Sequence, residues 1–189
     1  MKQDRRVQKT VHLYQEALLK LLKKKAMNEI SIKELSERAH LHRGTFYAHY
    51  KGLTELLYSI ERELIEKLKH ICQCDEVDAF HSLPYSVLND LFCFLNEHRE
   101  IMTILFAKDA YFICEMKTIL TIYCVRCAQR LYREATKEEY DFLSGYMVEG
   151  MMFVFKEWVH NTNEDKPSSE EMALKLQRVM LLGVDSLHK

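Results

Sequence analysis

Nine consecutive residues, Arg43-Gly-Thr-Phe-Tyr-Ala-His-Tyr-Lys51, carry most of the chemistry this sequence can do. Arg43 offers a planar guanidinium that can pair in bidentate fashion with a guanine edge. Gly44 has no side chain, so a base or backbone can approach closely. Thr45 and the amides beside it can hold a phosphate, helped by the dipole of a helix that starts there. Tyr47, Ala48, His49 and Lys51 complete the outward side. Phe46 and Tyr50, four apart, share the inward one. His42 stands just before this turn. Upstream, Lys33 can reach the same groove and Ser31 can hold a second phosphate. In this order on a short helix, these residue types suit recognition of nucleic acid. The chain has no Gly-rich phosphate loop, nucleophile motif or His-Glu-x-x-His pattern. Asp141 with Glu138 and Glu139 reads as a solvated helical face, so the expectation is that this is no enzyme.

Two short helices must position that stretch. Ser31 reads as an N-cap, and Glu34 three residues later gives the capping-box pattern. A helix over about 32–39 turns Ile32, Leu35 and Ala39 inward. His40-Leu41-His42 breaks it, and a second short helix over about 43–50 follows. Two short helices joined by a tight three-residue turn form a helix-turn-helix, whose second member reads the major groove. Before the pair, Val7, Val11, Tyr14, Leu18, Leu21 and Leu22 repeat at helical spacing. After it, Thr54 is expected to cap a long helix reaching about residue 72.

Further helices are expected from Pro84 to about Glu97, from His98 to about Ala107, and from an Asp109 cap to about Glu134. Two more run from Thr136 or Lys137 to about His160, and from Ser168 or Ser169 to about Leu187. That makes an all-α chain of about nine helices, with no strand alternation. The domains expected are a helix-turn-helix domain over 1–53, a connecting helix over 54–74 and a helical body over 75–189. Only 5 glycines and 2 prolines in 189 residues fit such a design.

Net charge is −1, but it is unevenly spread. Residues 1–70 hold 15 Lys and Arg against 9 Asp and Glu, and the remainder holds 12 against 19. A basic end on an acidic body suits a nucleic-acid binder. No segment reads as a signal peptide or membrane span, so a cytoplasmic protein with reduced cysteines and no membrane partner is expected.

The stretch Ser31-Ile-Lys-Glu-Leu-Ser-Glu-Arg-Ala-His-Leu-His-Arg-Gly-Thr-Phe-Tyr-Ala-His-Tyr-Lys51, followed by Leu56-Leu57, closely resembles the TetR/AcrR family of transcriptional regulators. The resemblance covers about the first 60 residues strongly. It implies a dimeric DNA-binding regulator, by family tendency a repressor, on a palindromic operator. Three positions depart from the family pattern. His40 stands where Gly is usual, at a position that tends to need positive φ. Leu53 stands where a phosphate-binding Lys is usual. His42 stands where Ser or Thr commonly caps the reading helix. More weakly, Gly145…Gly150…Trp158 followed by Ser168-Ser-Glu-Glu resembles a branch common in Firmicutes.

The resemblance implies that the body binds a small-molecule effector and dimerises. Candidate pocket walls are Phe94, Met102, Phe106, Tyr111, Phe112, Met116, Tyr123 and Tyr146. The helix over about 140–160 is apolar nearly all round, so a second subunit is expected to cover part of it. Gly145, Gly150, Val154, Trp158, Leu176, Val179 and Met180 are the candidate interface residues. Glu149 is expected at a rim or in solvent. Cys124-x-x-Cys127 lacks the further ligands a zinc site needs, so no metal and no cofactor is expected. These thiols, like Cys72 and Cys74, read as small buried hydrophobes, with a redox switch as the sharper alternative. A second reading of the whole chain is a co-regulator or ligand-binding module that kept the fold without direct operator binding.

Overall fold

The computed structural model describes residues 2–73, 85–131 and 136–185, and among these the backbone forms nine α-helices and no strand. They are α1 (Lys2–Leu22), α2 (Ile32–Ala39), α3 (Arg43–Tyr47), α4 (Leu53–Gln73), α5 (Tyr85–Glu97), α6 (Arg99–Lys108), α7 (Ala110–Leu131), α8 (Lys137–His160) and α9 (Ser169–Asp185). A 3-10 turn, Met27–Glu29, joins α1 to α2. Pro84, Glu134 and Leu187, expected at helix ends, lie outside the described residues, as does Cys74, expected as a small buried thiol.

Several helix starts follow the capping chemistry of the sequence. Asp109 Oδ1 accepts from the Phe112 amide at 2.8 Å. Thr136 and Glu139 cap α8 reciprocally, and Ser168 and Glu171 do the same for α9. The start of α4 departs from expectation. Thr54 lies inside the first turn rather than before it, and the Glu55 carboxylate reaches back to the Lys51 amide at 2.6 Å. The Leu56 amide bonds to the Gly52 carbonyl.

The chain divides into two compact units at Leu64 and Ile65, inside α4. One continuous helix therefore belongs to both. In the first unit, Tyr14, Leu18, Leu35, Phe46 and Leu56 are fully buried. Gln15 Nε2 on α1 donates to Glu63 Oε1 on α4 at 3.1 Å.

In the second unit, α5 packs chiefly against α9, and α7 against α8, with α6 touching both α7 and α8. Phe92 meets Phe155 and Trp158 edge-on, with centroids 5.2 and 5.1 Å apart. Trp158 Nε1 donates to the Pro167 carbonyl at 2.9 Å, and Lys166 Nζ stands 4.8 Å from the centre of the indole ring. Trp158 thus closes the α8–α9 loop from inside. Trp158 and Leu176 were expected at an interface between copies, but both are buried within the protomer. The indole needed a partner for its N–H and found it in its own loop.

Candidate nucleic-acid interface

The helix-turn-helix is built from α2, its turn and α3. Ser31 Oγ accepts from the Glu34 amide at 3.1 Å, the N-cap bond expected from sequence. The reciprocal half of the box is absent, because the Glu34 carboxylate instead meets Lys25 Nζ at 2.6 Å. At the other end of α2, His40 takes the left-handed conformation (φ 54°, ψ 40°). The His40 amide bonds to the Glu37 carbonyl and the Leu41 amide to that of Ser36, the Schellman pattern that glycine usually closes. The turn therefore forms without glycine, at the steric cost of a Cβ in the left-handed region.

Helix α3 is shorter than expected, ending at Tyr47 rather than near Tyr50. Its fold-back continues all the same, since the His49 and Tyr50 amides both bond to the Phe46 carbonyl at 2.9 Å. This keeps Phe46 and Tyr50 together on the inner side, rings 5.6 Å apart and both buried. On the outer side Ser31, Lys33, His42, Arg43, Gly44, Tyr47, Ala48 and Lys51 are exposed, while Thr45 and His49 are half-buried. A Cβ at Gly44 would meet open space. Lys33 lies 3.9 Å from Glu37, both largely exposed, a pairing too loose to hold it.

Two details adjust the expected phosphate contacts. The Thr45 amide already donates to the His42 carbonyl at 2.9 Å, so Thr45 can offer a phosphate only its hydroxyl. His42 occupies the N-cap with no side-chain cap bond, as its ring chemistry suggested. The residue that sequence reasoning missed is Tyr14. Its hydroxyl donates to the His42 carbonyl at 2.9 Å, and its ring meets Phe46 edge-on at 5.3 Å. A tyrosine in an otherwise aliphatic stripe was the available signal, because a buried phenol needs a partner.

With this geometry in place, the comparisons with known proteins are decisive. The model of the TetR-type transcriptional regulator C-terminal region matches residues 83–181, more than half the chain. The chain belongs to the TetR family. It is a family of DNA-binding transcriptional regulators, not of enzymes. The HTH-type transcriptional regulator YxbF of Bacillus subtilis is 32% identical over 103 residues. That match spans 51% of this chain and only 26% of YxbF, about a quarter of that relative's length. A TetR transcriptional regulator from Streptococcus agalactiae shares the fold at 21% identity and a TM-score of 0.66, covering 96% of this chain and 98% of that one. FadR of Thermus thermophilus, a TetR-family repressor solved with lauroyl-CoA, shares it at 17% identity and a TM-score of 0.53, covering 92% and 94%.

The body of this TetR-family chain sorts the remaining candidates. Phe94, Met102, Phe106, Phe112, Met116 and Tyr123 are buried in the second unit. Tyr111 and Tyr146, expected beside them as pocket walls, instead stand exposed, pointing out of the bundle. The exposed side of α8 carries three large aromatics among its charged residues: Phe142 is 71%, Tyr146 72% and Phe153 67% exposed. Gly145 and Gly150 fall on the same side, and a Cβ on either would meet open space. On α9, Val179 is 65% exposed; Val154 and Met180 are half-buried. Glu149 is exposed and gripped by Lys117 Nζ at 2.6 and 2.8 Å, the solvent-side position expected. An open groove of about 490 Å³ at the end of α8 is lined by Phe153, Val154, Glu157, Trp158, Pro167 and Met172 among others, and by none of the expected pocket walls.

The thiols divide into two sets. Cys72, Cys124 and Cys127 are buried, while Cys93 and Cys114 are exposed. Burial pushes the Cys72 and Cys124 thiols up to about 12, and raises Cys127 as well. Thiols held protonated in this way are poor nucleophiles and pack as small hydrophobes. Arg126 donates to the Cys72 carbonyl, tying the end of α4 to α7. No helix among the described residues is long and apolar enough to cross a membrane.

Proposed function

We propose that this chain is a homodimeric, ligand-responsive repressor, working in the cytoplasm on a palindromic operator. The observation that carries the reading is the face from Arg43 to Lys51: exposed, polar and basic, and backed by a buried Phe46 whose ring packs on Tyr14 of α1. An exposed arginine at the first turn of a reading helix is the side chain best suited to a guanine edge. Two such helices held by one dimer would meet successive major grooves about 34–36 Å apart, which favours a two-fold symmetric site.

The dimer reading rests on the exposed aromatics of α8 and on the separately exposed Val179 of α9. An exposed patch of large aromatics on a protein of this size marks an interaction surface. Gly145 and Gly150 would let a partner helix approach closely. Effector binding follows from the family and from the fold neighbour that holds an acyl-CoA. Its effect would pass through α4, the helix shared by both units, to the separation of the reading helices.

Selection from random duplex DNA at stated salt, with the wild type and Arg43→Ala in parallel, tests the operator reading. A palindrome enriched by the wild type and not by the variant is the expected result. Weak, salt-sensitive retention with no shared sequence in either protein would leave only phosphate attraction. It would favour the co-regulator reading, to which the apolar Leu53 at the start of α4 points.

A further inference from the structure

We propose that Tyr14 is a positioning residue for operator reading: its buried hydroxyl, bonded to the His42 carbonyl, supplies the anchorage that the N-cap side chain of α3 does not. The inference rests on the reading of Arg43–Lys51 as the DNA-facing segment.

A helix of five residues cannot hold itself in water. Its first turn depends on what fixes its entry, and most reading helices would be fixed by a capping Ser, Thr, Asp or Asn. Here the N-cap is His42, extended at φ −80° and ψ 143°, and its ring makes no cap bond. The joint is instead organised around the His42 carbonyl. That oxygen accepts the Thr45 amide at 2.9 Å, the Phe46 amide at 3.3 Å and the Tyr14 hydroxyl at 2.9 Å. The first two belong to α3 itself. Only the third comes from outside the motif, and it comes from α1.

Tyr14 is well placed to be rigid. Its residue is fully buried, and its ring stands edge-on to Phe46 at 81°. The buried Ser36 hydroxyl on α2 faces the same phenol and makes no hydrogen bond of good geometry. The phenol therefore sits where α1, α2 and the entry to α3 meet. Burial raises its pKa, so it stays a proton donor. Arg43 is the residue next to this anchored carbonyl. A bidentate arginine contact depends on direction, whereas lysine–phosphate attraction hardly does. Loosening the joint should therefore damage sequence discrimination and spare general attraction.

Tyr14→Phe in the full chain removes the hydroxyl and keeps the ring. The probes are the duplex most enriched by the wild type and a scrambled duplex of equal length, at one salt concentration. Affinity for the selected duplex should fall about tenfold, equivalent to about 1.4 kcal/mol, with scrambled-duplex affinity within about twofold of wild type. Adding His42→Ser, which supplies a capping oxygen, should restore much of that loss when measured against His42→Ser alone. Equal losses on both duplexes, or no loss on either, would overturn the proposal. If the wild type enriches no shared sequence, the operator reading fails, and hydrogen exchange in the free protein decides this one. Faster exchange of the Thr45 and Phe46 amides in Tyr14→Phe, with the Leu18 and Leu35 amides unchanged, supports it. Unchanged exchange at Thr45 and Phe46 refutes it.

Discussion

Phe46 and Phe142 are the same residue type, each on a helix with polar neighbours, and the chain treats them in opposite ways. Phe46 lies beneath the reading turn, wholly buried, with Tyr14, Tyr47 and Tyr50 around it and an exposed polar face above. Phe142 stands on the outside of α8 with Tyr146 and Phe153, their rings turned to solvent. One region uses aromatics to stiffen a polar surface from below. The other offers its aromatics as the surface. The first arrangement suits a partner that is charged and hydrated, the second a partner that excludes water.

The largest effect expected from breaking this contrast is at Phe46. Phe46→Ala should cost about 3–5 kcal/mol, the usual range for a buried phenylalanine. It should act on the unit up to Leu64. Thermal or urea unfolding checks the total. Hydrogen exchange of α1 and α2 amides checks that the loss is local.

Next in size is the α8 face. Phe142→Glu combined with Phe153→Glu should leave the protomer folded, because neither ring is part of its core. It should weaken self-association by about a hundredfold or more, since a large apolar side chain contributes roughly 1.5–3 kcal/mol when covered. Sedimentation over a range of concentrations reads this directly. A wild type that stays monomeric at micromolar concentration would remove the dimer reading, and with it the argument for a two-fold operator.

The same contrast explains what the sequence could and could not disclose. The helix-turn-helix was legible because each of its parts has a local signature. Ser31 caps, His40 sits where positive φ is needed, and Phe46 and Tyr50 lie four apart. The α8 face was only half legible. A helix apolar on every side states that something covers it, not whether its own protomer or another copy does so. Trp158 and Tyr146 show the ambiguity: the first was expected at an interface and is buried in its own protomer, the second was expected in a pocket wall and stands exposed. The need of Tyr14 for a partner was legible, but which partner it takes was not. The bond joins residues 28 apart through a carbonyl that any residue could have supplied.

A smaller change should sharpen the reading region rather than break it. His40 carries a Cβ in the left-handed conformation that closes α2. His40→Gly removes that crowding and should stabilise the first unit by about 1 kcal/mol. The expected observable is a modest rise in its unfolding midpoint, with operator preference unchanged because the turn keeps its path. A fall in stability would mean that the imidazole itself makes a contribution larger than the strain.

The smallest expected effect belongs to the second unit and appears only with pH. His98 is mostly covered, with Lys67 Nζ of α4 3.0 Å from its Nε2, Glu97 Oε1 3.6 Å from the same nitrogen and the Phe94 ring beside it. Burial, then the Lys67 charge, holds its pKa below the ordinary 6.5, with Glu97 opposing. A neutral His98 can accept from the lysine; a protonated one places two cations together. The favoured neutral form therefore contributes stability that is complete above about pH 6.5 and is lost as pH falls through the lower folded value. One proton limits the slope to about 1.4 kcal/mol per pH unit. Unfolding midpoints between pH 7.5 and 5 should decline in the wild type, and part of that decline should vanish in His98→Gln, which keeps an acceptor and cannot gain the charge. Parallel declines in both proteins would assign the acid sensitivity to other groups. They would also leave the Lys67–His98 contact, which ties α4 to the start of α6, indifferent to pH.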